Sequence, residues 1–224
     1  MIKKIATLFI LFISINSFAQ DANLLIGTYT QKGSKGIYVY HFDTATGKAI
    51  ELSHTNMISN PSFLAITKDK QNVYAVNEDM EGGVSAFSFK DNALKLIQQT
   101  PSKGAHPCYI NISPDQKNIF VANYTGGNIA QFYRFADGLI SNARQVIQHQ
   151  GSSINKERQE KAHVHGVFFN PEGNYLFTPD LGMDQVTIYP FKANATPTLQ
   201  VEKALLLTST PGAGPRHIAF PKNG

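Results

Sequence analysis

His163 and His165 flank a single valine, and Arg216 and His217 stand side by side after Gly214-Pro215. His106 precedes a proline, while Glu78, Asn123 and Asp180 close or follow short apolar runs. These residue types suit one kind of chemistry. Histidine titrates near neutrality and is a natural general base. Arginine keeps its charge and offers a forked set of donors to an oxyanion, carboxylate or phosphate. Together such groups suit a pocket that activates water or holds an anion. No Gly-x-Ser-x-Gly elbow is present to supply a serine nucleophile. Two histidines two apart on a strand point to one side and could pair on a metal ion. They lack a third ligand in pattern, so the metal-free reading is preferred. Asn123 and Asp180, with Asn77, also suit plain capping of strand ends. Cys108 is the only cysteine, which excludes an intramolecular disulfide. Its neighbours read it as a small buried apolar residue rather than a catalytic thiol.

The elements that must position these groups are strands. The chain has 224 residues, 42% hydrophobic, 11% aromatic and 16% charged. That is too aromatic and too weakly charged for a disordered chain. Tyr, Phe, Ile, Val and Thr are plentiful, and no helical period of useful length appears after the N-terminus, so the fold class is all-β. Residues 1–19 read as a signal peptide: Lys3 and Lys4, an apolar stretch over 5–15, then Ser17-Phe-Ala19. The apolar stretch is too short for a comfortable membrane span. Residues 20–224 are then one exported domain, periplasmic or secreted, with no membrane partner after cleavage. Losing Lys3 and Lys4 lowers the formal charge from +4 to +2, and no basic run with interleaved aromatics remains for nucleic acid.

The chain repeats itself. Units beginning at Pro61, Pro107, Val164 and Pro215 lie 46, 57 and 51 residues apart. Each opens with a short apolar strand, turns at a polar group such as Lys68-Asp-Lys70 or Ser113-Pro-Asp115, and returns in a strand ending at Asn77, Asn123 or Asp180. A third strand alternates apolar and polar residues, as in Val84-Ser-Ala-Phe-Ser-Phe89, and a more polar fourth closes the unit. Leu24 to Thr30 matches the second-strand position of an earlier unit. Four strands per unit of about fifty residues is the β-propeller pattern. Residues 151–161 carry no strand pattern and read as a long loop before His163.

Several motifs, in order and at blade spacing, carry a family resemblance. They are Leu25-Ile-Gly-Thr-Tyr29, Asn60-Pro-Ser-Phe-Leu64, Tyr74-Ala-Val-Asn-Glu78, Val121-Ala-Asn-Tyr124, His163-Val-His-Gly166, Pro179-Asp-Leu-Gly182 and Gly214-Pro-Arg-His-Ile-Ala-Phe220. The chain resembles the seven-bladed lactonase-type propellers, relatives of the propeller-type 6-phosphogluconolactonase and the carboxymuconate lactonizing enzyme. The resemblance implies four-stranded antiparallel blades, about four of seven present. It implies hydrolysis of a sugar lactone in carbohydrate metabolism, without metal or other cofactor. It places the base at His165 and the oxyanion or anion clamp at Arg216. His163, His217, His106, Glu78, Asn123 and Asp180 are the expected substrate-binding residues at the mouth.

The family has an acidic residue after the arginine, at the end of the next inner strand. Gly224 comes in the turn before that strand, so the expectation is the N-terminal portion of a larger propeller. Its activity would then be incomplete as it stands. An exported propeller that binds a sugar acid or protein partner without catalysis is the alternative, and a closed four-bladed ring is a third account.

Overall fold

The computed structural model describes residues 22–221, so the leader predicted over residues 1–19 lies outside them. Fifteen strands form four antiparallel sheets, each a simple meander. The first sheet holds β1 (Ala22–Ile26), β2 (Tyr38–Phe42) and β3 (Ala49–His54). The second holds β4 (Leu64–Ile66), β5 (Asn72–Asn77), β6 (Gly83–Lys90) and β7 (Ala93–Pro101). The third holds β8 (Pro107–Ile112), β9 (Asn118–Asn123), β10 (Asn128–Tyr133) and β11 (Gln145–Gln148). The fourth holds β12 (Phe168–Phe169), β13 (Tyr175–Asp180), β14 (Gln185–Pro190) and β15 (Leu205–Thr208). A single 3₁₀ turn, Val201–Lys203, precedes β15. Among the described residues no helix is long and apolar enough to cross a membrane.

The two-residue period of the strands decides how the sheets stack. In the second sheet, Val73, Ala75 and Phe87 face the first sheet and pack with Ile37 and Ile58. Their alternates Tyr74, Val76, Val84 and Ala86 face the third and pack with Ile110, Ile119, Val121 and Phe132. The third sheet turns Phe120, Ala122 and Ile129 to the fourth, where Val164, Leu176, Tyr189, Phe191 and Leu199 meet them. Phe120 meets Phe191 edge-on at 5.8 Å and Phe169 at 5.6 Å. A strand between two neighbours is therefore buried on both faces, and every residue of β5 and β9 is buried. At the ends of the row one face has no neighbour among the described residues, and Leu24, Ile26, Leu205 and Leu207 are exposed.

The predicted turns recur in one conformation. Lys70, Gln116 and Gly173 take the left-handed region, at φ 59°, 63° and 70°. Asp69 accepts hydrogen bonds from Thr67 Oγ1 and the Gln71 amide, and Asp115 does the same with Ser113 and the Lys117 amide. The fourth unit differs from expectation. Residues 215–221 form no strand, because no described segment offers them a ladder of backbone partners.

Candidate active site

Strands β4, β8 and β12 are the leading edges of their sheets, and the chain just before or within them converges on one pocket of about 520 Å³. Its wall includes Ser62, Cys108, His165 and Arg216. These four stand one place after Pro61, Pro107, Val164 and Pro215, so they are the same position of four successive repeats. Glu78 and Tyr124, each one place after a second strand, complete the wall with Tyr29, Phe63, Arg158 and His217. An aromatic row backs it, with Phe63 4.0 Å from Tyr109 and Tyr109 4.6 Å from Phe168, centroid to centroid.

His165 is half-buried, and its two ring nitrogens make no hydrogen bond among the described residues; Nδ1 is buried outright. Its main-chain amide is fixed by the Pro179 carbonyl at 2.9 Å. The His217 ring stands 5.4 Å away and the Tyr124 ring 5.5 Å, both edge-on. Burial, then the charges of Arg216, His217 and Arg158, push the imidazole down to about 4. It is therefore neutral at pH 7, with a lone pair free to accept a proton. Gly166 leaves room for this arrangement: a Cβ there would sit 2.4 Å from the Phe168 ring.

Glu78 forms the opposite wall. Its carboxylate accepts from the Tyr29 hydroxyl at 2.7 Å and from Ser62 Oγ. Cys108 lies between the two walls with its thiol directed at the Val164 and His165 carbonyls. Burial, with Glu78 nearby, pushes the thiol up to about 12, so it stays protonated and is no nucleophile. The reading of Cys108 as mere apolar filling missed its place on the pocket wall.

The other expected binding residues fall elsewhere. Asp180 is fully buried and accepts from the amides of His163 (2.7 Å), Gly182 (3.0 Å) and Met183 (3.2 Å). Its second oxygen lies 2.9 Å from His149 Nδ1, and His149 Nε2 lies 3.0 Å from the Tyr189 hydroxyl. Asn123 is also buried, donating to the Ser102 carbonyl and to Asn128 Oδ1. These two hold their own loops together. His106 takes φ 49° and pairs with Thr125 Oγ1 at 2.9 Å, away from the pocket.

His163 and His165 do not share a face as a strand would require. Only Val164 makes a bridge, to Asp180, and the chain around it is irregular. His163 is buried behind Tyr124, stacked on it at 4.5 Å, with Nδ1 donating to the Tyr124 carbonyl and Nε2 3.0 Å from Glu160. Among the described residues no group of three or more His, Cys, Asp and Glu is placed to hold a metal ion.

One carboxylate ties down both positively charged rims of the pocket. Asp184 accepts from Ser153 Oγ (2.5 Å) and the amides of Gly212 (2.6 Å) and Gly214 (2.7 Å). It takes φ 53°, which asparagine also tolerates. Burial would raise its pKa, but the bonds from Ser153, Gly214, Gly212 and Gln159 outweigh burial and hold it at about 2. A carboxyl lowered on folding stabilises above its unfolded pKa, and that stability fades as pH falls through the folded value. Wild-type protein should thus lose up to about 2 kcal/mol between roughly pH 4 and pH 2 from this group. Asp184→Asn should be less stable at pH 7 and lose less on acidification. Thermal unfolding across that range checks it, and an unchanged acid slope would count against it.

Comparison with known proteins agrees with this architecture. The family described as "Lactonase, 7-bladed beta-propeller" matches residues 23–224. A 6-phosphogluconolactonase of Formosa agariphila is 34% identical over 90% of this chain, and one of Bacillus subtilis 32% over 87%. The matched region spans 59% and 55% of those two proteins. The structure of a periplasmic gluconolactonase from Pseudomonas aeruginosa superposes with a TM-score of 0.85 at 36% identity, covering 92% of this chain and 60% of the other. With that family match over nearly the whole described chain, the chain belongs to the family of seven-bladed β-propeller lactonases.

Proposed function

We propose that the pocket hydrolyses the ring ester of a sugar lactone. The observation that carries this is the meeting of a neutral His165 with the guanidinium of Arg216 in one cavity, neither paired among the described residues. A water between imidazole and carbonyl gives its proton to His165 while its oxygen attacks. Arg216 donates to the oxyanion that forms, and the same proton then passes to the leaving ring oxygen. Glu78, oriented by Tyr29 and Ser62, accepts from hydroxyls of the sugar. The names borne by the relatives favour hydrolysis over binding alone. Export is part of the proposal: the leader pattern over residues 1–19 and the periplasmic relative both support it.

The test is turnover on a panel of phosphorylated, plain and carboxylated sugar lactones, followed against pH. His165 must be neutral to act, and its pKa lies near 4. The rate should therefore fall in acid with a midpoint near pH 4 and stay level through neutrality. No turnover on any lactone would overturn the proposal, and a midpoint near 6.5 would remove His165 from the role of base.

A further inference from the structure

Beside the main pocket lies a smaller cavity of about 230 Å³, lined by Asn155, Arg158, Gln159, Leu181, residues 212–214 and Arg216. Arg158 and Arg216 line both cavities and so form the seam between them. Among the described residues neither guanidinium makes an ion pair or a hydrogen bond. Nearby carboxylates are engaged: Glu160 lies on His163, and Asp184 is taken by Ser153 and the glycine amides.

Two unpaired guanidiniums at one seam repel each other, so something must hold them there. The backbone does. Arg158 rides on a segment closed by Ser153 N to Gln159 O (2.9 Å), Asn155 N to Gln159 Oε1 (3.0 Å) and Gln159 Nε2 to Leu181 O (2.9 Å). Arg216 follows the turn whose Gly212 and Gly214 amides are bound by Asp184, and the same carboxylate takes Ser153. Both arginine-bearing segments are thus anchored to one buried group. Their positive charge is felt as far as His165, which both help to hold neutral.

We propose that Arg158 and Arg216 form a two-part anion site at this seam, where Arg216 faces the oxyanion or product carboxylate and Arg158 binds a charged group on the tail of the substrate, remote from the lactone carbonyl. The subsite rests on the reading of the main pocket as the lactone site. The ring occupies the larger cavity and a phosphate or carboxylate tail reaches the smaller one. Arg158 is then a specificity residue that distinguishes charged-tail sugars from neutral-tail ones.

The experiment is calorimetric binding of three product-like acids, namely 6-phosphogluconate, glucarate and gluconate, to wild type, R158Q and R158K. Wild type should bind at least one of the two tailed acids about 10-fold or more tightly than gluconate. R158Q should lose that preference, weakening the tailed acids about 10-fold more than gluconate, and R158K should restore part of it. Preference for 6-phosphogluconate alone assigns the subsite to phosphate; equal preference for glucarate assigns it to any oxyanion tail. The subsite is overturned if wild type shows no preference, or if R158Q weakens all three acids alike. Unchanged thermal unfolding of R158Q confirms that the fold is intact. Binding needs no turnover, so a chain that opens no lactone yet keeps the Arg158-dependent preference fails the hydrolase reading alone. A chain that hydrolyses lactones with the preference intact in R158Q fails the subsite alone.

Discussion

His165→Ala is expected to lower lactone hydrolysis by about 10²- to 10⁴-fold, the usual contribution of a positioned general base. The loss should fall on kcat rather than on binding, because Glu78, Arg216 and Arg158, proposed to hold the ring and its tail, remain on the cavity walls. His165→Gln keeps the size and a polar end but cannot take a proton at neutral pH, so it should be nearly as slow. The rate left in either variant should no longer show the acid limb near pH 4. If the limb survives in His165→Ala, another group titrates there, and His217, 5.4 Å away, is the first to test. The thiol cannot substitute, since Cys108 stays protonated to about pH 12.

Asp180→Ala should have the largest effect on stability. One oxygen of this carboxylate satisfies three amides, and the other meets His149, all in the interior between the third and fourth sheets. Truncation leaves those donors buried and unpaired, which costs about 3–5 kcal/mol by analogy with broken buried ion pairs. Against a net stability of about 5–15 kcal/mol that is a large share. Urea unfolding should show a lower midpoint with an unchanged slope. The damage should also reach catalysis. Val164 bridges to Asp180 and the Leu181 amide bonds the His163 carbonyl, so the same contacts place the segment that carries His165. A loss below about 1 kcal/mol would show that the amides find other partners.

The sheets were legible in the sequence because burial on both faces leaves a plain mark. Between their asparagine ends, the runs Val-Tyr-Ala-Val in β5 and Ile-Phe-Val-Ala in β9 are apolar without a break, as a strand packed between two sheets must be. The repeating polar turns fixed where one strand stopped and the next began. The site was only half legible, because lying near the end of an inner strand does not say which way a side chain turns. The exact phase in the repeat matters: one place after Pro61, Pro107 or the second strand stand Ser62, Cys108 and Tyr124, all on the pocket wall. It also separates His165, at the wall position, from His163, two places earlier and turned behind Tyr124. Asn123 and Asp180 end second strands, where their side chains are spent on neighbouring amides and carbonyls. Glu78, one place further on, escapes that duty and faces the cavity. Arg158 had no such signal. It belongs to residues 151–161, within the longest of the three spacings, where no strand period sets a side chain's direction.

Four successive units each place one side chain at the same phase on the same cavity, and here the four are serine, cysteine, histidine and arginine. Copying a unit therefore copies a position in the cavity along with the fold. Each copy can change its letter there without disturbing the apolar strands that follow. A scaffold built this way can acquire a base, a donor or a neutral filler one repeat at a time, and each new chemistry begins from a cavity that already exists.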